Sequence, residues 1–393
     1  MAKLIDITGR VLSGEWGTDD ELGNGIPVIR TTNFTNEGVI NYNNVVTRRI
    51  TKKNIDEKYL CNGDIIIEKS GGSDKFPVGR VVYFDGNENT YLFNNFTGVL
   101  RVKNQNIWYP KYVFYSLFAN YKRGGTRTFE NKTTGLHNLK TDYYVSQYEI
   151  AEKDKKEQIL ICEKLDRLYG VIELREREVK LLDDLIKARF VEMFGDPRSN
   201  PFGFEKMILK DTCKIITGNT PSRAIDEYYG EFIEWIKTDN IVSGLLYPTK
   251  AIEGLSEKGV KIGRTVDKDS ILMACIAGSI ASIGRVCITD RRVAFNQQIN
   301  AIIPQKYNIH FLYVLLQISK DYLVEDINMA LKGILSKSKL EEKEFVVPPK
   351  ELQEQFADFV NQVNKSKVVY MYILKIRKYL MYNSKYREKV NCI

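Results

Sequence analysis

The chain has 393 residues, 43% of them hydrophobic, and a formal net charge of +8 from 58 basic and 50 acidic side chains. That length predicts two domains or slightly more, and the apolar content suffices for real cores. The positive surplus permits a polyanionic partner without demanding one. Only two histidines occur, His137 and His310, which speaks against a zinc site or a histidine-based hydrolase or nuclease centre. Six cysteines (Cys61, Cys162, Cys213, Cys275, Cys287 and Cys392) form no C-x-x-C pair and read as reduced, mostly packing thiols. The N-terminal run has no apolar signal-peptide core and no apolar run approaches a membrane span, so a cytoplasmic protein is expected.

Residues 1 to 150 read as an α/β domain of short strands. Ile26 to Ile29, Asp64 to Ile67, Gly79 to Val82 and Gly98 to Val102 are apolar, β-branched runs bounded by Gly, Asn and Asp. Tyr109 to Asn120 has helical spacing, and Arg123 to Asn138, rich in Gly, Thr and Asn, reads as a loop. Residues 198 to 349 show the same mixture of strands and loops.

Between them, Glu152 to Phe194 predicts one long helix. Ile161, Leu165, Leu168, Ile172, Val179, Leu182, Ile186 and Met193 recur in steps of four and three, and Arg175 and Arg189 fill the two missing beats. That spacing is the seam of a coiled coil. Gly195, Asp196 and Pro197 stop it, since Gly accepts a left-handed cap and Pro cannot continue a helix. A rod of about 40 residues is about 60 Å long and cannot bury its stripe alone. A second seam, Phe356, Val360, Val363, Tyr370, Leu374 and Met381, with Lys367 and Arg377 in its gaps, predicts its partner in residues 350–393. The basic run from Lys365 to Val390 is read first as a solvated face, and alternatively as a contact for an acidic partner or DNA phosphates.

The second half repeats the first. Ile29-Arg-Thr-Thr-Asn33 matches Ile236-Lys-Thr-Asp-Asn240, 207 residues on. Asp64 and Gly79-Arg-Val81 match Asp269 and Gly284-Arg-Val286, and Phe93-Asn94 matches Phe295-Asn296. Gly135 matches Gly333, and Glu157-Gln158 matches Glu354-Gln355. The matches are collinear with an offset that drifts one way, as small loop deletions would make it. The expected organisation is an α+β chain: domain 1–150, long helix 151–197, domain 198–349, long helix 350–393. Antiparallel pairing of the helices as a coiled coil would give an internal pseudo-twofold. It would also hold the two α/β domains roughly 50 Å apart, a little over one turn of duplex DNA.

Catalytic motifs are missing. No (N/D)-P-P-(Y/F) loop for a flipped base and no G-x-x-x-x-G-K-(S/T) loop occurs; Asn200-Pro-Phe lacks the second proline. Asp64 with Glu68-Lys69 suggests a metal-nuclease pair, but the second half has Met273 and Ala274 there. Asp64 and Asp269 therefore read as turn residues before a strand.

Over essentially its whole length the chain resembles the specificity subunit of a type I restriction-modification system. The most specific marks are Ala188 to Pro197 closing the central helix and Val347-Pro-Pro-Lys-Glu-Leu-Gln-Glu-Gln355 opening the distal one. Leu209 to Ser222, ending Ile-Thr-Gly-Asn-Thr-Pro-Ser, is similar to the start of a target recognition domain, and Gly284-Arg-Val286 and Phe295-Asn-Gln-Gln298 stand where such domains carry similar motifs. The first half departs from the pattern: Ala151-Glu152 stands in place of Pro-Pro, and Leu12-Ser-Gly14 lacks Thr-Pro-Ser. The resemblance implies a non-catalytic subunit whose two target recognition domains each read half of an asymmetric bipartite DNA site. Its helices would space those domains and dock two methyltransferase subunits carrying S-adenosylmethionine. Two restriction subunits would bring ATP and Mg. No cofactor is expected in this chain.

Base readout needs side chains that fork or donate to base edges, and phosphate contact needs Lys, Arg or small hydroxyl residues. In the first half these are Arg30, Thr31, Asn33, Lys69, Ser70, Arg123, Arg127 and Lys132. In the second they are Thr220, Ser222, Arg223, Lys237, Thr238, Asn240, Ser279, Gln297 and Lys332. The repeated Arg30/Lys237 and Asn33/Asn240 equally suit turn scaffolding, as do Gln297 and Gln298, and Trp16 and Trp235 suit the core. Glu157, Gln158, Glu354 and Gln355 open the two helices, as subunit-docking residues or as negative helix N-terminal charge. Two other classes remain open. A coiled-coil protein scaffold would show no salt-dependent DNA affinity, and a self-sufficient restriction or methylation enzyme would act alone.

Overall fold

The computed structural model describes residues 1–52, 55–74, 76–133, 136–325, 327 and 333–382, without the side chains of 132, 133, 136 and 368–382. The chain divides into two units, residues 1–173 with 377–393, and residues 174–376.

The first unit is built around Ile65–Glu68. Successive strand residues point to opposite faces, and here both faces are apolar. Ile65 and Ile67 pack with the helix Pro110–Lys122, while Ile66 packs with Ile29, Phe84 and Phe93. A strand sandwiched this way reads as a continuous apolar run. Its antiparallel sheet is ordered Leu12–Ser13, Thr97–Leu100, Ile65–Glu68, Val81–Tyr83. A second sheet is ordered Thr18–Asp19, Val46–Arg49, Ile26–Ile29, Leu92–Phe93, and its last pair is parallel. Ala2–Lys3 pairs with Glu149–Ile150, bringing together two stretches far apart in the chain.

The second unit repeats this plan. Ile271 and Met273 face one core and Leu272 and Ala274 the other. The antiparallel sheet is ordered Cys213–Thr217, Ile299–Pro304, Ile271–Ala274, Val286–Ile288. The mixed sheet again has one parallel pair, Tyr229–Ile236 with Val293–Phe295. Lys206–Ile208 pairs with Glu344–Val346, and Ile309–Ile318 takes the place of Pro110–Lys122. Asp64 and Asp269 each stand just before the buried strand; the Asp64 carboxylate takes 2.7 Å bonds from Arg101 and is not open to a metal.

Three expectations change. Residues 123–138 are not a simple loop: Glu130–Thr133 and Leu136–Leu139 form a hairpin added to Ser70–Gly72. Turn-forming composition masked the strands there. The helix-opening match is out of register by two. Gln158 corresponds to Gln353, not Gln355, because each amide does the same work. Gln158 Oε1 accepts from Tyr109 N and Gln353 Oε1 accepts from Asn308 N, both at 2.8 Å. Their Nε2 groups donate to the carbonyls of Lys153 (2.9 Å) and Pro348 (2.8 Å). The Pro348-Pro349 pair therefore corresponds to Lys153-Asp154 rather than Ala151-Glu152. Asp154 serves as the cap of its helix by accepting from Glu157 N at 2.8 Å. The match of Gly135 with Gly333 is not among these changes, since Gly135 lies outside the described residues.

The central helix spans Lys155–Phe194 and the distal helix Lys350–Tyr382. Gly195 follows with φ +70°, its amide bonding Val191 O at 2.8 Å. Within the second unit the two helices run antiparallel. Phe190 and Phe194 meet Phe356, Arg189 lies over Phe359, and Asp183 pairs with Lys367. Ile186, Phe190, Phe194, Phe356, Val360 and Val363 all join the core of that unit. Lys367, a gap in the apolar seam, is thus matched by an acid across it. The side chains of Tyr370, Leu374, Met381 and Arg377 lie outside the described residues, as does most of the basic run after Lys367. Among the described residues no helix is long and apolar enough to cross a membrane.

Candidate nucleic-acid interface

Each unit presents a short turn directly after the strand that is parallel-paired. In the first, Thr31–Asn33 is closed by Asn33 Oδ1 accepting from Arg30 N at 3.0 Å. In the second, Thr238–Asn240 is closed by Asn240 Oδ1 accepting from Lys237 N at 2.9 Å. The amide nitrogen of Asn33 donates to Asn41 O, and that of Asn240 to Thr249 Oγ1 and Lys250 O. Both asparagines are buried with their groups spent inside the turn, so these side chains scaffold it and do not face a ligand. Arg80 and Arg285, from the repeated Gly-Arg-Val, brace the turns from behind by donating to Thr31 O and Thr238 O. Neither arginine was among the residues expected from sequence to act.

The half-buried Arg30 and the exposed Arg127 and Arg123 lie on the first unit. Arg30 reaches Asn44 O at 3.4 Å, Arg127 donates to Asp74 O, and Arg123 turns back on Ala119 O. Lys69 is half-buried, and burial pushes its ammonium below the usual lysine range, with Asp142 opposing. Ser70 opens the strand beside the hairpin; Lys132 lies on that hairpin, its side chain outside the described residues.

The second unit gathers more of the expected residues. Arg223 and Lys237 share the Glu253 carboxylate, Arg223 at 2.6 Å. The two cations hold that carboxyl below the usual range, Lys237 more than Arg223. Both lie against aromatic faces: Arg223 is 4.4 Å from the Tyr229 ring centroid, and Lys237 is 5.2 Å from that of Trp235. Thr220 hydrogen-bonds Gln297, and the exposed Ser222 stands beside Arg223 in the same loop. Ser279 bonds Ser282 across an exposed turn, and Lys332 lies outside the described residues. Sequence reading missed Glu253, whose partners lie 30 and 16 residues away. Trp235 is core, packed with Leu255 and Ala294. Trp16 is not: it is half-buried with the Arg48 guanidinium 4.1 Å from its ring centroid.

Of the four residues opening the helices, Glu354 and Gln355 are exposed and Glu157 is half-buried in an ion pair with Lys153. Gln158 is fully buried, which corrects its reading as a docking residue. Among the described residues no group of three His, Cys, Asp or Glu side chains converges as metal ligands would. Burial pushes the thiols of Cys162, Cys213, Cys275 and Cys287 up to about 12, away from reactive thiolates.

Fold and site define a protein with one α/β plan used twice, an antiparallel sheet beside a mixed one, each copy followed by a long helix and each exposing cationic and amide side chains on loops. Residues 2–182 and 201–368 both match the type I restriction modification DNA specificity domain, and the chain belongs to that family. It is 33% identical over 120 residues to the HindI specificity subunit of Haemophilus influenzae, covering 30% of this chain and 25% of that protein. It is 30% identical over 155 residues to the MjaIX specificity subunit of Methanocaldococcus jannaschii, covering 38% of this chain and 35% of that one. These matches span a quarter to about a third of those relatives. The fold is shared with a solved type I restriction-modification S subunit from M. genitalium, at TM-score 0.54 and 15% identity over 97% of this chain and 94% of that one. A chain from a study of type I R-M complex assembly gives the same TM-score and identity over 97% and 95%.

Proposed function

We propose that this chain is the DNA-reading specificity subunit of a type I restriction-modification complex. Each α/β domain reads one half of a bipartite duplex site. The two halves of the site differ, because the exposed residues differ between domains while the scaffold repeats. The observation that carries this reading is the double match to one DNA specificity domain, with the same strand order in the antiparallel sheet of both units. The net charge of +8 supports a polyanionic ligand.

The paired helices act as the spacer between the domains and as the docking surface for two methyltransferase subunits, which bring S-adenosylmethionine. Two restriction subunits bring ATP and Mg. On the central helix, Leu174, Leu181 and Leu185 are 58%, 59% and 47% exposed, on a face other than the one carrying Ile186 and Phe190. A second apolar stripe at heptad-like spacing is what a partner helix needs. With no catalytic chemistry of its own, the chain acts with these partners on DNA in the cytoplasm.

The test is to map methylated adenines across the host genome with and without this gene. Loss of one bipartite motif on deletion is the expected result. No change in any motif, with the methyltransferase expressed, overturns the reading.

A further inference from the structure

The repeat separates residues that hold the fold from residues that differ on top of it, and one turn shows this most clearly. In the first unit, Asn94 to Thr97 links the strand Leu92–Phe93 to Thr97–Leu100. In the second, Asn296 to Ile299 links Val293–Phe295 to Ile299–Pro304. The backbone is held the same way in both. Asn94 N and Asn296 N donate to Ile29 O and Ile236 O, each at 3.1 Å. Thr97 N and Ile299 N donate back to Asn94 O and Asn296 O, again at 3.1 Å. Phe96 O accepts from Lys69 N and Ser70 N, and Gln298 O accepts from Cys275 N and Ile276 N. A glycine crosses over each turn: a Cβ on Gly14 or Gly218 would lie 2.1 Å from Asn94 O or Asn296 O. The next residues of that crossing strand bond to the turn in both units, Glu15 N to Phe93 O and Asn219 N to Phe295 O.

On this fixed backbone the side chains at the tip differ. The first unit exposes Asn95 and Phe96, and the second exposes Gln297, with Gln298 half-buried and its Oε1 accepting from Asn296 Nδ2 at 3.2 Å. The neighbouring residue on the crossing loop differs too, Trp16 against Thr220, and Thr220 bonds Gln297. Phe96 is 53% exposed, an apolar ring left in water on an otherwise rigid turn. Sites that discriminate need rigid backbone beneath side chains able to vary. An amide side chain can pair both major-groove atoms of adenine, and an aromatic ring gives apolar contact with a thymine methyl or wedges at a base step.

We propose that this turn is the base-reading tip of each domain, with Asn95 and Phe96 contacting base edges in one half-site and Gln297 in the other. The proposal rests on the DNA-reading function above and adds the residues that carry it.

The test grafts one tip onto the other domain, as N95Q/F96Q, in the full chain assembled with its methyltransferase. Competition binding is measured between the methylated motif and duplexes carrying each single-base change. Discrimination at one or more positions of one half-site is expected to fall about tenfold or more, the other half-site being unchanged. The reciprocal Q297N affects the opposite half. Unchanged discrimination at every position, in a complex that still binds, overturns the proposal. If the double variant does not assemble, the single variants N95Q and F96L, which leave the turn's backbone bonds in place, are read by the same criteria. Failure of the DNA-reading function itself has a different signature: the unaltered complex prefers no motif over scrambled duplex.

Discussion

Arg80 donates to the backbone carbonyl of Thr31 at 2.9 Å, tying the strand after one loop to the turn after another. It also reaches Phe34 O at 3.0 Å and Glu68 Oε1 at 3.3 Å, so one guanidinium satisfies three acceptors in a partly buried place. Arg80→Ala removes the donor to Phe34 O and to the buried Glu68, whose carboxyl burial already pushes upward, while Thr31 O keeps its bond from Phe34 N. A loss of about 1–3 kcal/mol is expected, measured by denaturant unfolding, and Arg80→Lys recovers only part because an ammonium cannot span the three.

Much of this could be read from residues alone, and the part that could not has a physical cause. The buried strands were legible because a continuous apolar run of four has one interpretation when turn residues bound it. The duplication was legible because scaffold residues such as Arg80 and Arg285 repeat with their neighbours. The register at the helix starts was not. Glu and Gln recur near Gln353, and only burial against Asn308 N picks out the working amide. Glu253 was invisible for a similar reason: nothing local marks a carboxylate whose two cations come from other strands and loops. Asn95 and Phe96 failed to draw attention because they break the repeat, the very property that now singles them out.

Gln158 and Gln353 make the same prediction twice. Each amide joins a helix start to a neighbouring segment while fully or nearly fully buried. Gln158→Leu and Gln353→Leu leave a buried amide N–H and a carbonyl unpaired. Each should cost about 2–3 kcal/mol in unfolding experiments. Assembly with the methyltransferase, measured on folded protein, should be unaffected.

His310 supplies a pH dependence. It sits at the first turn of the helix Ile309–Ile318, and its Nδ1 is buried without a hydrogen-bond partner. Burial lowers its pKa below the ordinary value of 6.5, with Asp269 opposing. The folded state therefore binds this proton less readily than the unfolded chain. The contribution is fully present above pH 6.5 and is lost as pH falls from there through the lower folded value. Melting temperature followed from pH 8 down should decline through this window. His310→Gln should flatten that part of the profile, and an unchanged slope would place the dependence elsewhere.

Leu181 and Leu185 separate folding from assembly. They are 59% and 47% exposed, so charge there meets water and not core. Leu181→Asp with Leu185→Asp should leave unfolding within about 1 kcal/mol of the parent chain, as expected for exposed positions. Copurification with the methyltransferase should be lost. Retention of the partner by the double variant would move the docking face off this side of the helix.

Gly218 offers the sharpest probe of the reading tip because its role is steric. An added Cβ would lie 2.1 Å from Asn296 O and 2.5 Å from Phe295 O, and both are backbone atoms that cannot step aside alone. Either the crossing loop lifts or the turn beneath it shifts. Gly218→Ala should thus cost about 1–3 kcal/mol of stability in the second unit, the usual penalty of forced overlap. It should also loosen the Thr220–Gln297 contact, since Thr220 is two residues along the loop. Base discrimination should weaken in one half-site only, and Gly14→Ala should do the same to the other half. If instead both half-sites weaken together in either variant, the two domains do not read independently, and the glycine acts through assembly of the whole complex.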